Sequence, residues 1–142
     1  MRNAKYKNGF TLVEVLFAII LVGIAIVSLL AANLSFTKAN SVGTELSTAE
    51  FLIEQIRELT LSVGYDDLYA LDGANYSPPV NANGEVLNDF VAFSQQITVE
   101  NVSDTNFEQV VAEHTSNFVR ITVSVFLNSR EISSAGWIRA QY

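Results

Sequence analysis

An uncharged stretch near the N-terminus, Val15 to Ala32, reads VLFAIILVGIAIVSLLAA and decides how the rest of the chain is organised. At about 1.5 Å per helical residue, the apolar sequence from Phe10 to Ala32 would cover about 30–35 Å, which is one hydrocarbon thickness. Three basic residues, Arg2, Lys5 and Lys7, precede it. Because basic residues stay on the cytoplasmic side, the sequence predicts one span of the inner membrane, with a cytoplasmic N-terminus and an exported C-terminal part.

Three kinds of segment could carry such a stretch. A cleaved secretory signal peptide would be shorter, and Leu30-Ala31-Ala32 lacks the usual small residue two positions before the last. A plain signal anchor fits the length. Neither explains Glu14, because a carboxylate in hydrocarbon costs about 2–3 kcal/mol and is by default functional. Glu14 needs a positive partner, and cutting the chain between Gly9 and Phe10 would create one, an α-amine.

The residues around this position, Gly9-Phe10-Thr11-Leu12-Val13-Glu14, follow a basic leader and precede the apolar run. They resemble the class III signal of type IV pilins and type II secretion pseudopilins. The resemblance implies that a prepilin peptidase cuts after Gly9 and that the new amine of Phe10 is methylated. It also implies that Glu14 attracts the Phe10 amine of a neighbouring subunit and so sets register in a filament.

The same resemblance implies a structural role. The chain is expected to be a minor pilin or minor pseudopilin, since its small size, exported helix and C-terminal strand pair are similar to those of small minor pseudopilins. The expected partners are other pilin or pseudopilin subunits, the prepilin peptidase, an inner-membrane assembly platform and membrane lipid. A rival reading is a signal-anchored periplasmic binding domain that does not polymerise.

Composition argues against catalysis and against nucleic acid. The chain has no cysteine, its only histidine is His114, and it has no phosphate-binding glycine loop, so we predict no enzyme and no cofactor. After Gly9 five basic residues face fifteen acidic ones, a net charge of −10 that disfavours nucleic acid. Asp66, Asp67 and Asp72 could bind Ca²⁺, but they lack the alternating spacing of a calcium loop, so no metal site is predicted.

Beyond the apolar stretch, residues 36–64 predict an amphipathic continuation of the helix. Its apolar stripe recurs at three- and four-residue steps and comprises Leu46, Ala49, Ile53, Ile56 and Val63, flanked by Leu52 and Leu59. The opposite side carries an acidic ladder, Glu50, Glu54 and Glu58, in which Arg57 can pair with Glu54. This ladder is either a solvated face or a docking surface for a basic neighbour. Phe51 lies outside the stripe and is a second candidate contact.

The remaining residues predict a loop over 65–89 and a sheet domain over 90–142. Apolar and polar residues alternate in Phe90–Glu100 and Phe118–Leu127, and Ile132–Gln141 returns after a turn. Pairing Leu127 with Ile132 would place Trp137 opposite Thr122, on the face that carries Arg120 beside Arg139. Trp137 is therefore either an interface residue or covered by a loop of its own chain.

The predicted fold class is α+β. A long N-terminal helix, membrane-spanning in its first half and amphipathic in its second, packs on a C-terminal antiparallel sheet of three or four strands. The predicted segments are a basic leader over 1–9, a transmembrane and polymerisation helix over 10–35, the amphipathic helix, the variable loop and the sheet domain.

Overall fold

The computed structural model describes residues 9–141, so residues 1–8 of the predicted leader and Tyr142 lie outside the described residues. The chain divides into two compact units, residues 1–42 and residues 43–142. A single helix, α1 (Leu12–Ser62), contributes residues to both units. Proline is absent before Pro78, so no residue forces this helix to break.

In the first unit, every helical residue from Leu12 to Val42 is exposed. The apolar side chains have no tertiary cover within the described part of this unit, and Leu29, for example, is 71% exposed. By length and composition α1 is apolar enough to cross a membrane. An aqueous environment would penalise such a surface, so the apolar part of α1 requires lipid or protein around it.

The second unit contains an antiparallel sheet of four strands in the order β1-β2-β3-β4. The strands are β1 (Asn75–Tyr76), β2 (Phe93–Val102), β3 (Phe118–Leu127) and β4 (Arg130–Ala140). Two 3₁₀ turns, Asp66–Leu71 and Asn88–Phe90, lie between α1 and β2. The C-terminal part of α1 packs on this sheet, which confirms the predicted α+β class.

The core of the second unit lies between α1 and one face of the sheet. Apolar side chains from both elements are buried there, mainly Ala49, Leu52, Ile53 and Ile56 of α1 against Ile97, Val99, Val119, Ile121, Val123 and Val125 of the sheet. The predicted stripe is therefore largely correct, with one exception. Leu46 is 45% exposed, because it lies one helical turn before Ala49, the first buried residue.

The predicted pairing of β3 with β4 was wrong by two residues at the turn and by one residue along the rest of the two strands. Asn128 and Ser129 have φ angles of 49° and 68°, so they form a two-residue hairpin turn and Leu127 pairs with Arg130. An irregularity between Val125 and Phe126 then shifts the register, as a β-bulge does. Ile121 consequently pairs with Trp137, and from Ser133 onwards the one-residue difference places the β4 side chains on the opposite face of the sheet from the one predicted.

The corrected register separates the two arginines that the sequence had placed side by side. Arg120 Nη2 donates to Glu100 Oε2 at 2.6 Å. Arg139, on the helix-facing side, donates through Nη1 to the main-chain carbonyls of Thr60 and Val63, the latter at 2.7 Å. The last turn of α1 has no basic residue of its own, so Arg139 supplies the cation that satisfies its terminal carbonyls.

Replacing Arg139 with methionine should therefore lower the free energy of unfolding of the second unit by about 1–3 kcal/mol, since hydrogen bonds to a charged group are lost. Arg139→Lys keeps the charge but cannot donate in the same forked geometry, so an intermediate loss is expected. Thermal unfolding of the full chain in detergent, followed by the fluorescence of Trp137, measures both changes. Equal stability of the methionine variant and the parent chain would contradict the capping role.

Candidate functional site

The predicted cleavage position lies in exposed, non-helical backbone. Gly9, Phe10 and Thr11 precede the first residue of α1, and Phe10 is 83% exposed. A side chain built at Gly9 would meet no atom within 4 Å. The fold itself therefore places no restriction on the residue at position 9, and any requirement for glycine there must come from another molecule.

Thr11 and Glu14 form a reciprocal cap at the start of α1. The Glu14 main-chain N–H donates to Thr11 Oγ1 at 3.2 Å, and the Thr11 main-chain N–H donates to Glu14 Oε2 at 3.5 Å. This arrangement is a capping box, in which two helix-terminal N–H groups that lack intrahelical partners are satisfied. The negative charge also lies at the positive end of the helix dipole.

This local role of Glu14 was not among the predictions from the sequence, which gave it only an intermolecular partner. The signal was present, since a threonine followed three residues later by a glutamate before an apolar run is a recognised helix start. The two roles are compatible because an ionised carboxylate has about four acceptor sites, and the capping bond uses one of them. Glu14 can therefore cap its own helix and still accept a hydrogen bond from an amine.

Two serine hydroxyls farther along α1 are satisfied within the helix. The hydroxyls of Ser28 and Ser35 donate to the carbonyls of Ile24 and Ala31 at 2.8 and 3.0 Å. Such bonds to the preceding turn remove the cost of placing a hydroxyl in hydrocarbon. Glu14 is the only ionisable residue between Gly9 and Ser35, and an apolar environment would penalise its charge.

The acidic ladder on the second unit is partly engaged within the chain. Glu50 Oε1 accepts a hydrogen bond from Ser133 Oγ at 2.6 Å. Glu54 Oε2 lies 3.5 Å from Arg57 Nη1, which confirms the predicted pair. Glu58 is exposed. Exposed ion pairs contribute about 0–1 kcal/mol, so this surface is available to a partner at little cost, and its docking role stays a prediction.

The two aromatic candidates differ in their surroundings. Phe51 is 46% exposed, and its ring lies 5.9 Å from that of Phe90. Trp137 is half-buried against the core on the helix-facing side of β4, so the predicted position on the outer face was wrong. The indole nitrogen of Trp137 is buried and has no hydrogen-bond partner among the described residues. An interface role for Phe51 and Trp137 stays a prediction.

The residues considered for metal binding or catalysis do not converge. Over residues 9–141, no group of three or more His, Asp or Glu side chains could hold a metal ion. Asp72 Oδ1 instead accepts the main-chain N–H of Val99 at 2.8 Å and extends the hydrogen bonding of β2. The ring of His114 lies 4.6 Å from that of Tyr69.

Tyr65 is partly buried just after the end of α1, close to Tyr69. Burial is the main cause that raises the pKa of Tyr65 to about 12, and a hydrogen bond with Tyr69 adds to it. The phenol therefore stays protonated and donates to the carbonyl of Ser116 at 3.5 Å. This bond connects the end of α1 to the loop before β3, which is a structural role.

Comparison with known proteins bears on the N-terminal segment. A search of curated proteins and a search of solved structures each found no match. A family model described as the prokaryotic N-terminal methylation motif matches residues 4–31. The matched segment includes the predicted cleavage position, the capping box of Thr11 and Glu14, and most of the apolar stretch. The chain therefore carries a prepilin-type N-terminal methylation motif, which is typical of type IV pilins and pseudopilins.

Proposed function

We propose that this chain is a structural subunit, a minor pilin or minor pseudopilin, of a type IV pilus-like filament or a type II secretion pseudopilus, and that it is not an enzyme. The observation that carries the proposal is that α1 is exposed throughout the first unit and has a carboxylate, Glu14, in its first turn, just before the apolar stretch. A membrane anchor needs the apolar surface and gains only a helix cap from Glu14, at the cost of an acid beside hydrocarbon. A helix that moves from lipid into a bundle of pilin-type helices uses both the apolar surface and the charge.

The proposed pathway begins in the inner membrane. The chain inserts with residues 1–9 on the cytoplasmic side and residues 36–142 exported. A prepilin peptidase hydrolyses the bond between Gly9 and Phe10, and the new amine of Phe10 is then methylated. The exposed, non-helical backbone at Gly9 and Phe10 supports access by a peptidase. An inner-membrane assembly platform then transfers the subunit into the filament.

The proposed driving force for assembly is burial of the exposed side chains of α1. Lipid tails already cover these side chains, so specificity has to come from groups that lipid cannot satisfy. Glu14 is such a group, and the Phe10 amine of a neighbouring subunit would neutralise it through a charge-assisted hydrogen bond. The pair would fix the axial position of each new subunit relative to its neighbour.

The first test is the mass of the chain recovered from its own membranes. We expect the loss of residues 1–9 and the gain of one methyl group at Phe10. Gly9→Val should leave the chain uncleaved, because the peptidase would no longer meet glycine before the bond. A larger side chain at position 9 meets no atom of the fold, so misfolding would not account for the loss. Gly23→Val is the matched control, because Gly23 also has open space around it and lies within α1.

Recovery of the exported chain with residues 1–9 still attached would contradict the proposal. That result would favour the alternative, a signal-anchored periplasmic binding domain that does not polymerise. Cleavage of both glycine variants would instead show that a different peptidase acts on the chain.

A further inference from the structure

The outer edge of β4 is long, and no other strand of the described residues lies beside it. β4 (Arg130–Ala140) has eleven residues and lies at one end of the sheet, whereas the strand at the opposite end, β1, has two. Within residues 9–141, no main-chain hydrogen bond from outside the sheet reaches β4. Unpaired edges of this length are templates for an added strand.

A main-chain hydrogen bond just beyond the end of β4 shows which β4 residues face that edge. In an antiparallel pair, only every second residue bonds to the neighbouring strand. The N–H of Gln141 donates to the carbonyl of Asn117 at 2.8 Å, which continues the β3–β4 ladder. Counting back in twos, the main-chain groups of Trp137 bond to β3, and those of Gly136 and Ile138 point away from it.

The hydrogen bonds on the opposite edge of β3, towards β2, independently indicate the same open positions on β4. The N–H of Asn128 donates to the carbonyl of Ala92 at 3.0 Å, so the even-numbered residues of β3 bond towards β2. The odd-numbered residues of β3 must then bond towards β4. Their partners in the register are the odd-numbered residues of β4 from Ser133 to Arg139. The main-chain N–H and C=O groups of Ser134, Gly136, Ile138 and Ala140 therefore lie on the open edge.

The edge has few of the features with which proteins block strand addition. β4 contains no proline and no lysine, and its bulge lies at its beginning, before the open positions. Gly136 has no side chain to hinder an approaching backbone. Ile138 is 38% exposed and offers an apolar contact beside it.

A groove of about 270 Å³ runs between this edge and α1. Its floor contains Gly136 and Trp137, and its wall on α1 contains Glu50, Glu54 and Arg57. Arg57 is engaged with Glu54, so the wall presents net negative charge to an incoming chain. A second cavity of about 560 Å³ follows the same strand at Ile138, Arg139 and Ala140, and it is bordered by Leu61.

We propose that the outer edge of β4 binds an extended, basic segment of a different protein, which adds a fifth strand to the sheet. The free main-chain groups call for an extended backbone, and the acidic wall favours lysine or arginine on the added strand. A second copy of this chain is a poor occupant, because the part after Gly9 carries a net charge of −10 and two copies would repel. The inference stands whether or not the chain forms filaments.

The test uses the full chain in detergent and a capped eight-residue peptide of alternating valine and lysine. Trp137 is the only tryptophan, so its fluorescence reports directly on the groove. We expect a saturable change in that fluorescence, together with at least tenfold slower hydrogen exchange at the amides of Gly136 and Ile138. The same peptide with every backbone nitrogen methylated should produce neither effect. A valine–glutamate peptide should bind at least tenfold more weakly.

Two variants test the edge itself. Ile138→Pro removes one outward N–H without removing a bond to β3, whereas Ile138→Ala keeps that N–H and removes the apolar side chain. The proline variant should lose peptide binding and the alanine variant should retain most of it, with thermal unfolding confirming that both fold. If the proline variant does not fold, the methylated peptide decides the question by itself.

Several results would overturn the inference. Equal binding of the methylated peptide would show that the groove takes side chains and adds no strand. Unchanged exchange at Gly136 and Ile138 under saturating valine–lysine peptide would show the same. Concentration-dependent protection of these amides without any peptide, with a dimer in sedimentation, would make a second copy the occupant. Processing after Gly9 affects none of these readouts, so the proposed function can fail or hold separately.

Discussion

Replacing Glu14 with glutamine should prevent incorporation of the chain into filaments while leaving its insertion into the membrane unchanged. Glutamine can still accept the Thr11 N–H and complete the capping box, so the start of α1 stays intact. The charge is lost, and with it the charge-assisted hydrogen bond to a neighbouring amine. Such a bond is worth about 1.5–3 kcal/mol, so incorporation per subunit should fall by about ten- to a hundredfold.

Glu14→Ala is the companion variant, since it removes both the charge and the cap. If charge pairing carries assembly, the glutamine and alanine variants should show equal losses, measured as the fraction of chain in sheared filaments against the fraction in membranes. Normal incorporation of the glutamine variant beside a defective alanine variant would assign Glu14 to helix capping alone. The charge-pairing part of the proposed function would then be wrong.

Replacing Gln95 with methionine should strongly destabilise the second unit. Gln95 is fully buried, and its side chain accepts the N–H of Val80 at 2.8 Å and donates to the carbonyls of Val80 and Leu52 at 3.2 and 2.9 Å. Methionine is similar in size but leaves both main-chain groups of Val80 buried without partners. Each unsatisfied group costs about 1–3 kcal/mol, so a total loss of about 2–6 kcal/mol is expected.

Gln96→Met is a matched control, because Gln96 is the next residue of β2 and its side chain lies on the exposed face. Its unfolding temperature should stay within about 2 °C of the parent value, whereas Gln95→Met should lower it by at least about 8 °C. Trp137 fluorescence during thermal unfolding of the full chain measures both. Equal shifts for the two variants would show that the bonds to Val80 do not stabilise the fold.

The parts of this fold that follow a long sequence period could be predicted. Ten residues of alternating polarity located β3 at Phe118–Leu127, and the three- and four-residue apolar steps located the face of α1 that packs on it. These patterns persist over several turns or strand positions, so a single irregular residue does not hide them. The N-terminal motif was equally clear, because charge, spacing and hydropathy agree over its length.

Features decided by one or two residues could not be predicted from the pattern. The hairpin turn depends on left-handed backbone at Asn128 and Ser129, and a four-residue turn there fits the sequence equally well. That choice, with the bulge that follows, determines which face Trp137 occupies. Gln95 looks like an ordinary polar strand residue, since its burial depends on a distant loop at Val80 that supplies its partners. β1, with two residues, has no period at all.

The hydrogen bonds from Arg139 to the end of α1 mean that the helix end is capped only after β4 has been made. A ribosome makes residues 60 and 63 long before residue 139, so the last carbonyls of the helix can bond only to water until β4 has been synthesised. A product that stops before β4 would lack Arg139. The end of α1 would then be uncapped and more accessible to proteases. A copy that contains β4 therefore differs from one truncated before it in whether the end of α1 is capped.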